Sequence, residues 1–284
     1  MENINLKTWI NNKWFLLSLI LLSTFVINVN YQGWNVSSRL ATIQSIVEHG
    51  SLTIEESVFN YTGDKVYIDG EYYSDKPPTP SYLGAIVYGL LYYCGLSFNY
   101  EPVITYYLIV LLIIKGLYIF GLYCFYRSLE FTGIGTGNKN LILISLAFGS
   151  LLFTWSSTFN NHVIAASAIM TGFYYYFMHS YVKNKRVYLL SSLIFFALAG
   201  NSDMPMMLFY VVFSMLILNK CRINDFLIYY LLPGIVVSIP TLITNLYIHG
   251  SIMLIQIISE YFIYDGSPCI SYVIRNRGNS TCKQ

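Results

Sequence analysis

Long apolar runs are the feature that most restricts how this 284-residue chain can fold. A transmembrane helix needs about 20 mostly apolar residues to cross the hydrocarbon core of a bilayer. Runs near that length cover 14–31, 80–98, 103–126, 140–157, 162–182, 187–201, 204–219 and 226–247, and a weaker run covers 251–264. The pattern predicts an all-α polytopic membrane protein with about eight transmembrane helices.

The composition argues against several other classes of protein. Hydrophobic residues make up 55% of the chain and charged residues only 11%, whereas a typical soluble domain carries roughly 25% charged residues. The net charge of +2 is too small to indicate a nucleic acid or another polyanion as a partner. We therefore do not expect a soluble enzyme, a disordered chain or a nucleic-acid binder.

Basic residues predict the orientation of the apolar runs. Lys7 and Lys13 precede the first run and place the N-terminus in the cytoplasm of an integral, multi-pass protein, most simply of a bacterial or archaeal cell membrane. Since no small-residue cleavage site follows that run, we expect an uncleaved anchor. The basic turn at 183–186 predicts a cytoplasmic loop, and positions 160–162 are then external. Three runs separate position 76 from position 160 although both are predicted to be external, so one of them is expected not to cross.

Four regions follow from this interpretation. Residues 1–31 contain the cytoplasmic N-terminus and first anchor, 32–78 an external loop, 79–264 the helical bundle and 265–284 a polar C-terminal tail. Seven of the fourteen acidic residues lie between positions 48 and 75. We therefore expect the external loop to be solvated and to have structure of its own.

The external loop is predicted to begin with a helix. Ser37 or Ser38 is expected to cap its N-terminus, and Gly50 to close its C-terminus. The helix carries an apolar stripe of Leu40, Ile43 and Val47. An amphipathic helix of this kind is expected to lie along the membrane surface.

A β-hairpin is predicted to follow, because residues alternate around Asp69-Gly70, the preferred two-residue hairpin turn. It leads into the stretch 75–78, Asp-Lys-Pro-Pro, whose prolines suit the first turn of a helix. Lys76 would then lie at the external interface, where its ammonium group can meet a lipid phosphate. A snorkelling anchor at a helix start is the alternative interpretation of Lys76.

Four other polar residues are candidates for a functional site. Arg39, beside the predicted cap, either helps to bind an anion or is an exposed surface arginine. Asn161 and His162 interrupt two apolar runs, and polar groups at that depth are functional candidates, although a helix cap is the alternative. Asp203 either binds a cation or orients a basic group, or caps the helix that follows it.

In their order along the chain, these motifs resemble the first half of the membrane-embedded GT-C glycosyltransferases of the protein O-mannosyltransferase and aminoarabinose-transferase type. The shared motifs are the arginine of an external helix in Arg39-Leu40-Ala41, the stretch 69–78 ending in Asp-Lys-Pro-Pro, and a polar break several spans later. The resemblance covers roughly residues 14–250, and its specific part is 34–78.

The resemblance implies an inverting transfer of a sugar from a polyprenyl-phosphate carrier, held in the membrane lipid, to an unnamed acceptor on the external face. It implies that Lys76 holds the lipid phosphate and that Arg39 belongs to the same anion-binding surface. The family usually has an acidic residue just before that arginine, as metal ligand or general base. In this chain Asn35 stands there, where it can orient an acceptor but cannot take a proton.

The missing acid leaves the acid–base groups to be found elsewhere. Asp75 is the leading candidate base, and His162 with Asp203 is the other possibility, while Asn161 is a candidate for substrate binding. A divalent metal remains open. The alternative function is a non-catalytic membrane protein of the same fold, such as a carrier-lipid binder, a complex subunit or a transporter-like protein.

Overall fold

The computed structural model describes residues 13–182, 186–218 and 227–264. Most of these residues are helical. Within them, two compact units are separated: a hairpin unit of residues 29–109 and 239–264, and a helical unit of residues 13–28 and 110–238. The predicted polar tail, Lys7 and positions 183–185 lie outside the described residues.

The elements follow one another in a simple order. The helices are α1 (Lys13–Thr24), α2 (Trp34–Gln44), α3 (Pro78–Tyr93), α4 (Pro102–Thr132), α5 (Thr136–Phe148), α6 (Leu151–Trp155), α7 (Asn161–Phe177), α8 (Arg186–Ser202), α9 (Met207–Leu218) and α10 (Leu232–His249). The strands β1 (Lys65–Ile68) and β2 (Glu71–Ser74) lie between α2 and α3. Wider π-helical turns extend α2 over Ser45–His49 and α7 over Met178–Val182, precede α10 over Leu227–Leu231, and occupy Val110–Lys115 inside α4.

Helix α2 begins earlier than the sequence predicted. Its first residue is Trp34, and Ser37 and Ser38 are buried inside the helix rather than capping it. The Ser37 hydroxyl donates to the carbonyl oxygen of Tyr31 at 2.8 Å, and the Ser38 hydroxyl donates to that of Asp64 at 2.6 Å. The prediction of a serine cap was wrong because these hydroxyls bond to neighbouring loops instead. The predicted end is confirmed, since Gly50 follows the last turn with a left-handed φ of 62°.

Helix α2 is also not a surface helix. Every residue from position 37 to position 44 is buried, and Leu40 and Ile43 are fully inaccessible. The helix packs against β2 and α3 within the hairpin unit. Its predicted place along the membrane surface is therefore wrong, because other segments of the protein cover its apolar stripe.

The hairpin is confirmed at the predicted turn. The strands are antiparallel, with Lys65 opposite Ser74 and Ile68 opposite Glu71. Asp69 and Gly70 have φ values of 52° and 95°, the left-handed backbone that the favoured two-residue turn requires. Helix α3 then starts at Pro78, as the proline pair predicted.

Close contact between small residues characterises the helical unit. Helix α7 packs against both α4 and α8. A Cβ added to Gly121 of α4 would lie 2.8 Å from the Cα of Ser167 in α7. The Ser192 hydroxyl of α8 donates to the Gly172 carbonyl oxygen of α7 at 2.8 Å. Small residues and interhelical hydrogen bonds of this kind also join transmembrane helices.

Fewer helices are long enough to cross a membrane than the apolar runs predicted. Among the described residues, Pro102–Thr132 and Leu232–His249 are long and apolar enough, while Arg186–Ser202 and Met204–Leu216 are shorter apolar helices. Helix α3 has 16 residues and covers about 24 Å, less than the roughly 30 Å of a hydrocarbon core. The run 140–157 breaks into two helices at positions 149–150. The predicted number of about eight spans is thus not supported.

Candidate functional site

The hairpin unit contains a cluster of charged groups around Lys76. The ammonium nitrogen of Lys76 lies 2.8 Å from Oδ2 of Asp64 and 3.0 Å from Oδ2 of Asp75. The side chains of Asp75 and Lys76 are only 4% and 16% exposed, while that of Asp64 is 27% exposed. Lys76 is therefore held between one buried and one half-buried carboxylate.

The hairpin register explains why the two carboxylates meet. Because position 65 pairs with position 74, the next pair outward places Asp64 opposite Asp75. The Ser38 hydroxyl lies 2.6 Å from Oγ of Ser74 and also binds the carbonyl oxygen of Asp64, so α2 holds both strand ends. Like charges directly across a hairpin repel each other, and Lys76 compensates that repulsion.

The surroundings of Asp75 shift the pKa of its carboxyl group. Burial raises its pKa above the ordinary value, and the nearby Asp64 carboxylate adds to this effect, while Lys76 and Arg39 oppose it. Among the described residues, none hydrogen-bonds its second oxygen, Oδ1. A buried carboxyl group with a raised pKa is suited to act as a general base, which accepts a proton during catalysis.

Arg39 lies on α2 and is almost completely buried, at 1% exposure. The alternative of an exposed surface arginine is therefore wrong. Its Nη1 donates to the backbone oxygen of Asn35 at 2.8 Å and also to the Asn35 side-chain oxygen. Asn35, at the exposed start of α2, thus orients Arg39, and Arg39 is close enough to Asp75 to favour its ionised form.

A small cavity with both polar and apolar walls adjoins Lys76. Its walls include Thr42, Ser74, Ser81, Asn245 and Gln256, and its volume is about 20 Å³. The Gln256 amide donates to the backbone oxygen of Asp75 at 2.8 Å. A volume of this size holds about one water molecule, so a phosphate or a sugar enters only if the cluster opens.

The helical unit contains a second pair of candidate residues. Nδ1 of His162, at the start of α7, lies 2.7 Å from Oδ2 of Asp203, and the two side chains are 43% and 12% exposed. The Trp155 ring lies 4.5 Å from the His162 ring, centre to centre, at 33°. Since a carboxylate only accepts hydrogen bonds, Nδ1 carries the hydrogen and Nε2 of the neutral ring remains an acceptor.

The two capping alternatives have different outcomes. Asn160 caps α7 by accepting a hydrogen bond from the Val163 amide at 3.1 Å, and Asn161 is buried beside it in the first turn. Asp203 stands at the N-terminus of the 3-10 turn Met204–Met206, but its side chain makes no capping hydrogen bond. Its carboxylate is directed to His162 instead, so the capping interpretation of Asp203 is wrong.

Lys115 is a buried cation in the π-helical part of α4. It is fully inaccessible, and its ammonium nitrogen donates to the Ser156 hydroxyl at 3.0 Å. The hydrogen bond lies within the helical unit.

The structure brings some of the predicted residues together and assigns others to different units. Arg39, Asp75 and Lys76 share one cluster in the hairpin unit, whereas His162 pairs with Asp203 in the helical unit. Asp64 belongs to the cluster but was not singled out from the sequence. The predicted hairpin register was the signal that could have found it.

Metal ligands do not cluster in the described part of the chain. Within residues 13–182, 186–218 and 227–264, no three His, Cys, Asp or Glu side chains are arranged to hold a metal ion. Comparisons of the chain with protein-family models, with curated proteins and with solved structures found no match.

Proposed function

We propose that the chain is a polytopic membrane glycosyltransferase that uses a polyprenyl-phosphate-linked sugar as donor. The single observation that carries this proposal is the buried cluster of Arg39, Asp75 and Lys76, which joins the two motif segments of the resemblance. The cluster combines two cations with a carboxyl group of raised pKa. That is the chemistry required to hold a phosphate and to accept a proton.

The exposed surface of the helices supports a multi-pass membrane location. Helix α9 exposes several large apolar side chains, namely Leu208, Val211, Val212, Met215 and Leu216. Contiguous apolar patches of this kind are typical of lipid or protein contact.

We assign the chemical roles as follows. The acceptor hydroxyl oxygen attacks the anomeric carbon of the sugar, the bond from that carbon to the carrier phosphate oxygen breaks, and the hydroxyl proton passes to Asp75. The carrier leaves as a phosphate whose negative charge Lys76 and Arg39 stabilise. The phosphate takes the place of the half-buried Asp64 carboxylate beside Lys76. The displacement of Asp64 opens the small cavity that adjoins Lys76.

A transfer assay in proteoliposomes tests this function. Purified protein is reconstituted with a series of polyprenyl-phosphate sugars and supplied with a panel of hydroxyl-bearing acceptors, and release of the carrier phosphate is measured. We expect Lys76→Ala to abolish release and Lys76→Arg to retain part of it, because arginine keeps the charge. Lys65→Ala is the matched control, since Lys65 lies on the same hairpin and donates to the backbone oxygen of Asn60.

Folding must be separated from catalysis in this assay. Lys76→Ala removes the cation that contacts both Asp64 and Asp75, so the double variant Asp64→Asn/Lys76→Ala is measured as well. Thermal unfolding and size-exclusion profiles identify the variants that fold. Full phosphate release by a folded double variant would contradict the role of Lys76.

A non-catalytic carrier-lipid binder of the same fold is the second candidate. The observation that favours it is the balance of charge, since Arg39 and Lys76 are matched by Asp64 and Asp75. Ion pairs of this kind also occur as purely structural elements. Carrier binding by the wild-type protein without any release of phosphate would support this candidate over the transferase.

A further inference from the structure

The hairpin unit has a second, larger concave site, which is formed by residues just before α2, in the loop between α2 and β1, and between α3 and α4. We call it the aromatic groove and define it by Tyr31, Gln32, Phe59, Tyr61, Phe98 and Asn99. Its volume of about 680 Å³ lies within the range of roughly 300–1,000 Å³ that is typical of small-molecule sites. None of the described residues that line it is charged.

The rings of the groove are fixed by contacts with one another. Phe59 and Phe98 are each 2% exposed and pack edge to face, with ring centres 4.9 Å apart. Tyr31 packs against Phe59 in the same way at 5.8 Å. Tyr61 is 49% exposed, and its hydroxyl lies 3.1 Å from Oγ of the buried Ser37. A buried aromatic floor thus carries one exposed ring at its side.

Hydrogen bonds hold the loop between α2 and β1, which carries Phe59 and Tyr61. The Gln44 side-chain oxygen accepts from the Ser57 hydroxyl at 2.8 Å and from the Val58 amide at 3.0 Å. The Thr62 hydroxyl donates to the backbone oxygen of Trp34 at 2.9 Å. The loop is therefore attached to α2 at both ends, and a ligand would bind without first ordering it.

The polar groups of the groove indicate the class of its ligand. Gln32 and Asn99 carry amides, which both donate and accept hydrogen bonds, as sugar hydroxyls do. The Asn99 amide nitrogen donates to the Glu48 carboxylate at 2.8 Å, which orients the amide. An aromatic face attracts the weakly positive C–H groups of a sugar ring because its own face is negative. We infer that the aromatic groove binds a neutral saccharide.

Saccharide binding is measured on the whole 284-residue chain in lipid nanodiscs, so that no sugar-based detergent competes. Saturation-transfer NMR is used with maltose, cellobiose and chitobiose, and with farnesol as an apolar probe. We expect at least one disaccharide to bind. We expect Tyr61→Ala to raise the Kd of that disaccharide by about tenfold. Tyr67→Ala is the matched control, because Tyr67 is 41% exposed on the hairpin and does not line the groove.

A second variant, Gln32→Ala, keeps the test independent of the Tyr61 hydrogen bond and is expected to weaken binding as well. The inference is overturned if none of the three disaccharides binds, if farnesol alone binds, or if Tyr61→Ala and Tyr67→Ala have equal effects. Binding does not require transfer activity. A failed transfer assay and a failed binding assay are therefore distinguishable.

Discussion

Asp64 and Asp75 stand opposite each other one position beyond the last pair of the β1–β2 hairpin, and the ammonium group of Lys76 contacts both carboxylates. Asp75 is buried whereas Asp64 is half-buried, so the two acids differ in their surroundings. Burial raises the pKa of Asp75, while the Asp64 side chain is 27% exposed to solvent.

The raised pKa of Asp75 predicts how stability depends on pH. An unfolded aspartate titrates near 3.9, so above about that pH the native state binds more protons than the unfolded state. The free energy of unfolding should then fall as the pH rises from about 4 through the folded-state pKa. In Asp75→Asn this slope should disappear. Thermal unfolding between pH 4 and pH 7 measures this slope. Asp69→Asn, in the exposed turn, is the control. An unchanged slope in Asp75→Asn would contradict the raised pKa of Asp75.

Removal of Asp64 should shift that pH dependence. Because the Asp64 carboxylate raises the pKa of Asp75, Asp64→Asn is expected to lower it and to end the decline in stability at a lower pH. The loss of the ion pair with Lys76, in which the Asp64 and Lys76 side chains are 27% and 16% exposed, should itself cost about 1–3 kcal/mol. The same unfolding series provides the measurement, and a decline that ends at the same pH or at a higher pH would contradict the repulsion between the two acids.

The hairpin turn should not accept a side chain at Gly70. With a φ of 95°, Gly70→Ala is expected to lower the free energy of unfolding by about 1–2 kcal/mol. Gly89→Ala is the matched control, because Gly89 lies inside α3, where alanine is favoured over glycine, and a Cβ added there meets open space. Chemical denaturation of both variants compares them. Equal stability would argue against the turn geometry.

The contact of α4 with α7 depends on Gly121. A methyl group there would lie 2.8 Å from the Cα of Ser167, so Gly121→Ala is expected to cost about 1–3 kcal/mol through overpacking. Gly116→Ala, on the same helix, meets open space and should be neutral or slightly stabilising. Thermal unfolding in nanodiscs distinguishes the two variants. A larger loss in Gly116→Ala would refute the close approach of the helices.

The hydrogen bond to Asp203 should fix the tautomer of His162. Nitrogen NMR of histidine-labelled protein is expected to show the neutral ring with its hydrogen on Nδ1, because Asp203 accepts that hydrogen. Asp203→Ala should release this preference, and His162→Gln identifies the signal. The other histidines in the spectrum serve as internal controls. A neutral wild-type ring with its hydrogen on Nε2 would rule out the pair.

Features that depend on neighbouring residues were predictable from the sequence alone. The Asp69-Gly70 turn, the proline start of α3 and the end of α2 at Gly50 lie where the sequence predicted them. Each of them depends on the φ and ψ values that a few adjacent residues can adopt, and those preferences exist before the chain folds.

The features that required the tertiary structure depend on which distant segments pack together. The burial of α2 follows from its contacts with β2 and α3, and an apolar stripe alone does not distinguish burial in protein from burial in lipid. His162 and Asp203 lie 41 positions apart and meet only because α7 and α8 pack side by side. Hydropathy shows how long an apolar run is but not where a helix within it breaks. The number of long helices therefore depends on the tertiary structure. The sequence by itself determined local backbone geometry, and tertiary packing decided which charged groups became neighbours, because burial and ion pairing arise only between segments that fold together.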